Sequence, residues 1–177
     1  MINEYYANKE IINMMIQKLK KDHVIELQQF TKPEFAQKIS REVKKLRFQR
    51  EEKLMSHSYG YSTDKRVLSE IVREIIPFII DIMPIKNLDL SIVKFEHKDY
   101  ILIHEKKQKT FILDLTQQWS DAFGGQTVFS NMKGENIIIN QKFNSLILSD
   151  DKRHMFIKYI NNKSKKIARY VVVGRFE

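Results

Sequence analysis

The sequence has no cysteine among its 177 residues. Disulfides and thiolate metal sites are therefore excluded, so histidines and carboxylates are the side chains left to hold a metal. Absence of cysteine also fits a reducing compartment, and we expect a cytoplasmic protein. No run approaches the roughly 20 apolar residues that a membrane-spanning helix requires, so no membrane association is expected.

Acidic residues are also in the minority. The chain has 31 Lys and Arg against 22 Asp and Glu, a formal net charge of +9. This balance favours an acidic partner, either an acidic protein or a nucleoprotein. A lysine-rich solvated surface explains the same charge equally well. The run KKLRFQREEK mixes both signs, whereas NNKSKK is a short basic cluster at a predicted hairpin tip.

The first half of the chain has helical periodicity. KEIINMMIQKLKK and DKRVLSEIVREIIPFIIDI repeat apolar residues at the spacing of one helix face, and Pro77 is expected to kink or end the second of these. Between them, Thr31 to Glu34 has a capping-box pattern that starts another helix. The segment MSHSYGYSTD reads as a mobile loop.

From about residue 88 the period changes to that of strands. Eight short apolar or alternating runs are separated by polar breaks: LSIVKFE, YILIH, TFILDL, QTVFS, NIIIN, NSLILS, HMFIKYI and ARYVVVGRF. Eight such runs without intervening helices predict an antiparallel jelly roll. We expect one α+β domain, with mainly helical support over 1–86 packed on one face of a jelly-roll core over 87–177.

Several of these segments, in this order, resemble the prolyl-4-hydroxylase-like branch of the iron(II)/2-oxoglutarate-dependent dioxygenases. KFEHKDYILIH looks like the extended segment that ends in a metal histidine, and TFILDLTQQWSDAFGGQTVF is similar to the family's tryptophan and diglycine block. RHMFIKYI resembles the strand of the distal histidine, and ARYVVVGRF the last core strand with its arginine. The resemblance covers about residues 23 to 177 and implies a double-stranded β-helix, a jelly roll of the cupin type.

The resemblance implies two cofactors, Fe(II) and 2-oxoglutarate. In such sites two imidazoles and a carboxylate hold iron on one face, and an arginine binds the distal carboxylate of the cosubstrate. Arg169 occupies the matching arginine position, His154 matches the distal metal histidine, and Tyr59 could bind the cosubstrate. No residue is assigned a direct catalytic role.

Two registers are open for the first metal histidine. His104 ends the apolar strand YILIH, as the family requires, but the carboxylate position two residues later is Lys106, which has no lone pair to offer iron. His97 and Asp99 give an intact His-x-Asp motif, yet YILI would then become a loop. We favour His104, in which case the triad lacks its carboxylate unless Glu105 or Asp114 completes it.

Three functions follow from these alternatives. The first is an oxygenase that hydroxylates a protein or another macromolecule. The second is a catalytically degenerate pseudoenzyme that keeps the sheet as a binding module. The third sets the resemblance aside and leaves a basic, jelly-roll-like β-sandwich that binds nucleic acid or carbohydrate.

Overall fold

The computed structural model describes residues 1–53, 57–101, 108–131 and 133–177, without the side chains of residues 52, 53, 57 and 58. Three α-helices lie in the first half of the described chain: α1 Lys9–Asp22, α2 Pro33–Val43 and α3 Lys65–Ile82. The strands are β1 Val24–Leu27, β2 Gln49–Lys53, β3 His57–Ser62, β4 Asp89–Phe95, β5 Tyr100–Ile101, β6 Lys109–Asp114, β7 Thr127–Ser130, β8 Asn136–Ile139, β9 Ser145–Ser149, β10 His154–Ile157 and β11 Arg169–Phe176.

The strands form two antiparallel halves that one strand joins. The first half has the order β1-β9-β6-β11-β4 and the second β5-β10-β7-β8. Strand β3 links them, because it pairs with β4 through residues 60–62 and with β5 through residues 57 and 58. This arrangement confirms the predicted double-stranded β-helix, and all eight predicted strands are present as β4 to β11.

Alternation along the strands divides the core into two apolar clusters. Val171 and Val173 of β11 face the inside of the barrel, where they meet Phe129 and Met155 of the second half. Val172 instead faces the helices, in a second cluster that contains the buried positions of α1, α2 and α3. The helices therefore pack on the outer face of the first half, as predicted, and leave the barrel interior to the strands.

The structure corrects the prediction at three points in the helical half. The expected capping box is absent, since Lys32 is the N-cap of α2 without a side-chain cap, and the Thr31 hydroxyl donates to Asn144 Oδ1 at 2.7 Å. Helix α3 does not end at Pro77 but continues to Ile82, so of the two expected effects of the proline the ending is wrong. Residues 57–62, which were predicted to lie in a mobile loop, form strand β3.

The division into a helical support and a strand core remains a prediction. The first 86 residues supply strands β1, β2 and β3 as well as the three helices. None of the helices in the described chain is long and apolar enough to cross a membrane.

Candidate functional site

Arg169 is fully buried inside the barrel, with only 1% of its surface exposed. It begins β11 on the same face as Val171 and Val173. Its Nε donates to Asp114 Oδ2 at 3.0 Å, its Nη1 to the Gly125 carbonyl at 2.8 Å and its Nη2 to Thr127 Oγ1 at 3.0 Å. Each nitrogen of the guanidinium thus donates a hydrogen bond to a group of the chain itself.

The carboxylate that neutralises Arg169 comes from the neighbouring strand. Asp114 ends β6 and pairs in register with Val171 of β11, which places both charged side chains on the barrel side. Its other oxygen accepts from the Thr116 backbone N–H at 2.8 Å. Burial lowers the pKa of the Arg169 guanidinium, whereas the charge of Asp114 raises it. The two charges stabilise each other in an interior from which water is excluded.

His154 lies on the face of β10 opposite to the barrel interior. Met155 and Ile157 belong to the interior cluster, so strand alternation directs His154 to the other side, next to Ser130 of β7. Its Nδ1 is buried without a hydrogen-bond partner in the described part of the chain. The predicted distal histidine and the predicted cosubstrate arginine are therefore not brought to one cavity.

Arg153 lies on the barrel side of β10 by the same alternation. It precedes Met155 by two residues and lines, with Met155 and Phe129, a cavity of about 10 Å³ at the mouth of the barrel. Its Nε donates to the Asp22 carbonyl at 3.2 Å and its Nη1 to the Glu135 carbonyl at 3.4 Å. The rest of the lining is Gln108, Thr110, Ser149 and Arg175. Such a volume accommodates about one water molecule and not a five-carbon dicarboxylate.

The residues of the alternative register, His97 and Asp99, have other partners in the structure. Asp99 is fully buried, and both of its oxygens accept from the Arg50 guanidinium; Oδ2 also accepts from the Glu96 backbone N–H at 2.7 Å. His97 stacks edge-on against Tyr159 with ring centroids 6.4 Å apart. The backbone of Asp99 pairs with Ile160, at the opposite end of β10 from His154. The structure does not join His97, Asp99 and His154 into one site.

Tyr59 does point into the barrel. It is 7% exposed, its ring packs 5.9 Å from that of Phe95, and its hydroxyl donates to Glu51 Oε2 at 3.0 Å. Burial, followed by the bond to Glu51, raises the pKa of Tyr59 to about 12. The hydroxyl stays neutral at physiological pH and is held by a carboxylate of the chain.

His104, Glu105 and Lys106 lie outside the described residues. Within the described chain, no cluster of three or more histidine, aspartate or glutamate side chains could hold a metal. The described donor set does not fit an iron and 2-oxoglutarate site, because Asp114 neutralises Arg169 and the cavity at the mouth is lined by Arg153 and Arg175.

Comparisons with known proteins support the fold. No protein-family model matches the chain, and no curated protein matches it. A prolyl-4-hydroxylase from Pseudomonas putida is similar in structure, with a TM-score of 0.78, 10% identity and coverage of 94% of this chain and 98% of that one. A prolyl hydroxylase from Trichoplax adhaerens, in complex with a peptide fragment of the hypoxia inducible factor oxygen degradation domain, has a TM-score of 0.75, 14% identity and coverage of 98% and 91%.

A third similar structure is an oxidoreductase of the 2OG-Fe(II) oxygenase family from Burkholderia pseudomallei. Its TM-score is 0.73 at 10% identity, with coverage of 96% of this chain and 92% of that one. At such identities the likeness is one of fold. The chain has the double-stranded β-helix fold of the iron(II)/2-oxoglutarate oxygenases, in the form that prolyl-4-hydroxylases share.

Proposed function

We propose that this chain is a degenerate member of the oxygenase fold that acts as a binding module for a protein partner, without iron or 2-oxoglutarate chemistry. The observation that carries the proposal is the buried pair between Arg169 and Asp114. In the oxygenases that the sequence resembles, the matching arginine binds the carboxylate of the cosubstrate. Here the Asp114 carboxylate of the chain itself already binds the Arg169 guanidinium.

The mouth of the barrel supports the same conclusion. A ferrous ion requires neutral imidazole or carboxylate ligands, and a guanidinium, being a permanent cation without a lone pair, repels it. Arg153 and Arg175 both line the cavity at the mouth. The sequence adds Lys106 at the position where the family has its carboxylate.

A protein partner fits what remains of the fold. The similar Trichoplax structure holds a peptide fragment, so this architecture can present a peptide-binding surface. The +9 charge of the chain favours a partner of acidic character.

An anaerobic absorption titration tests the proposal. Ferrous iron and 2-oxoglutarate are added together, and the weak visible charge-transfer band of an iron–cosubstrate chelate is recorded. We expect no band from the native chain. A saturable band would overturn the proposal, and its loss in His104→Ala or in His97→Ala would then identify the first ligand.

A matched gain-of-function variant makes a negative result informative. Arg153→His combined with Lys106→Asp supplies, with His104, the two histidines and one carboxylate of a facial iron site. If degeneracy results from these two positions, the double variant binds iron while a control that changes the exposed neighbour Lys152→His does not. Equal responses from the variant and the control would count against that explanation.

A further inference from the structure

A groove of about 490 Å³ lies beside the start of β2 and the end of β3. It runs between the segment that leaves α2 and the segment that joins β3 to α3. Lys45, Arg47 and Gln49 line one wall, and Tyr61 and Asp64 line the other. No residue of the Arg169 pair or of the arginine-lined mouth contributes to it.

Exposed cations that form no ion pair with the described residues flank the groove. Lys45 and Arg47 are exposed, as are Lys65 and Arg66 directly after the second wall, and none of the four makes an ion pair within the described part of the chain. The carboxylate of Asp64 is engaged, since it accepts from the backbone N–H groups of Arg66 at 3.1 Å and Val67 at 3.0 Å. These four cations outnumber the one carboxylate of Asp64, so the rim of the groove is net positive.

An unpaired strand edge adjoins these cations. Strand β2 pairs with β3 along one side, and no other strand of the described chain pairs with its second side. Gln49, the first residue of β2, also lines the groove. Backbone N–H and C=O groups on a free edge can add an extended peptide as another strand.

We propose that the groove and the free edge of β2 together bind an extended acidic peptide of a partner protein, whose carboxylates contact Lys45 and Arg47. This inference rests on the proposed function as a binding module and names its surface and ligand class. Nucleic acid fits less well, because Tyr61 is the one aromatic residue among the described residues that line the groove, and it packs against the barrel cluster. A single half-buried ring provides no platform on which successive bases stack.

The test uses the full chain and a fluorescein-labelled peptide that alternates glutamate with valine. The paired variant is Lys45→Glu with Arg47→Glu. Its control, Lys163→Glu with Lys166→Glu, makes the same change in net charge at two exposed residues of the NNKSKK cluster. We expect binding about tenfold weaker in the first variant, as reversal of two exposed contacts predicts, and a smaller change in the control.

Hydrogen exchange and a second probe complete the design. Bound peptide should slow exchange of the amides of β2, while a peptide with glutamine for glutamate should bind weakly. Three outcomes would each overturn the inference. The peptide does not bind, or both variants weaken binding equally, or oligodeoxythymidine binds more tightly than the peptide and the first variant abolishes that binding. The iron titration is a separate measurement, so the two failures can be told apart. A chelate band together with peptide binding would contradict the proposed function and leave this inference standing. If neither a chelate band nor peptide binding is observed, this inference is contradicted and the absence of iron chemistry stands.

Discussion

Replacing Asp114 with asparagine tests how far the barrel depends on its internal carboxylate. The substitution keeps the shape of the side chain and removes its charge, so the Arg169 guanidinium is left in the interior with only neutral acceptors. The two side chains are 1% and 2% exposed, which leaves water no access to compensate. Removing one partner of a buried ion pair costs about 3–5 kcal/mol, and the asparagine oxygen keeps the value near 3.

Urea unfolding measures this loss directly. Against a domain stability of about 5–15 kcal/mol, a loss of 3 kcal/mol is large, and for a chain of this size it lowers Tm by roughly 6–12 °C. The matched control is Glu4→Gln, which breaks an ion pair with Lys32 in which Glu4 is 86% exposed. Such exposed pairs contribute under about 1 kcal/mol.

The double variant Asp114→Leu with Arg169→Met separates pairing from packing. It removes both charges and keeps apolar volume, so it should be more stable than Asp114→Asn. If Asp114→Asn loses no more free energy of unfolding than Glu4→Gln, or if the double variant is less stable than the single one, the pair does not neutralise the interior as argued.

Three further predictions concern buried groups. Asp114→Ala, which removes one carboxylate beside the buried guanidinium, should gain Tm with added formate while the native chain does not, as thermal shift would show. Since burial raises the pKa of Tyr59 from about 10 to about 12, its contribution to stability is complete below pH 10 and is lost as the pH rises from 10 to 12. Urea unfolding in that window should show a loss of about 1 kcal/mol that Tyr59→Phe lacks, less than the whole shift implies because solvent screens the hydroxyl. Gly174→Ala should cost about 1–3 kcal/mol of unfolding free energy, because a Cβ there would overlap the buried ring of Phe111; a change below 0.5 kcal/mol would refute that packing.

The strands of the core could be predicted because their apolar runs are visible in the sequence. Strand β2 could not, since QREEK contains no apolar residue and forms an edge that pairs with β3. Charged edge strands lack the alternation on which such predictions depend. Strand β3 was obscured in the same way by the glycine and serines of HSYGYS.

The candidate site was harder because it depends on which face each residue occupies. A shift of one residue along a strand moves a side chain to the other face, and Met155 and Ile157 set the inward face of β10. Reading RHMFI with that alternation would have indicated Arg153 for the barrel and His154 for the outside. The partner of Arg169 could not be predicted from the sequence. Asp114 lies 55 positions away and contacts Arg169 only because β6 pairs with β11.

A crystal structure of the native chain grown with excess ferrous iron and 2-oxoglutarate tests the central claim most directly. The account predicts that Arg169 Nε remains within hydrogen-bond distance of Asp114 Oδ2 and that the barrel holds neither the metal nor the cosubstrate. A 2-oxoglutarate carboxylate bound to Arg169, with iron held by His104, would contradict it.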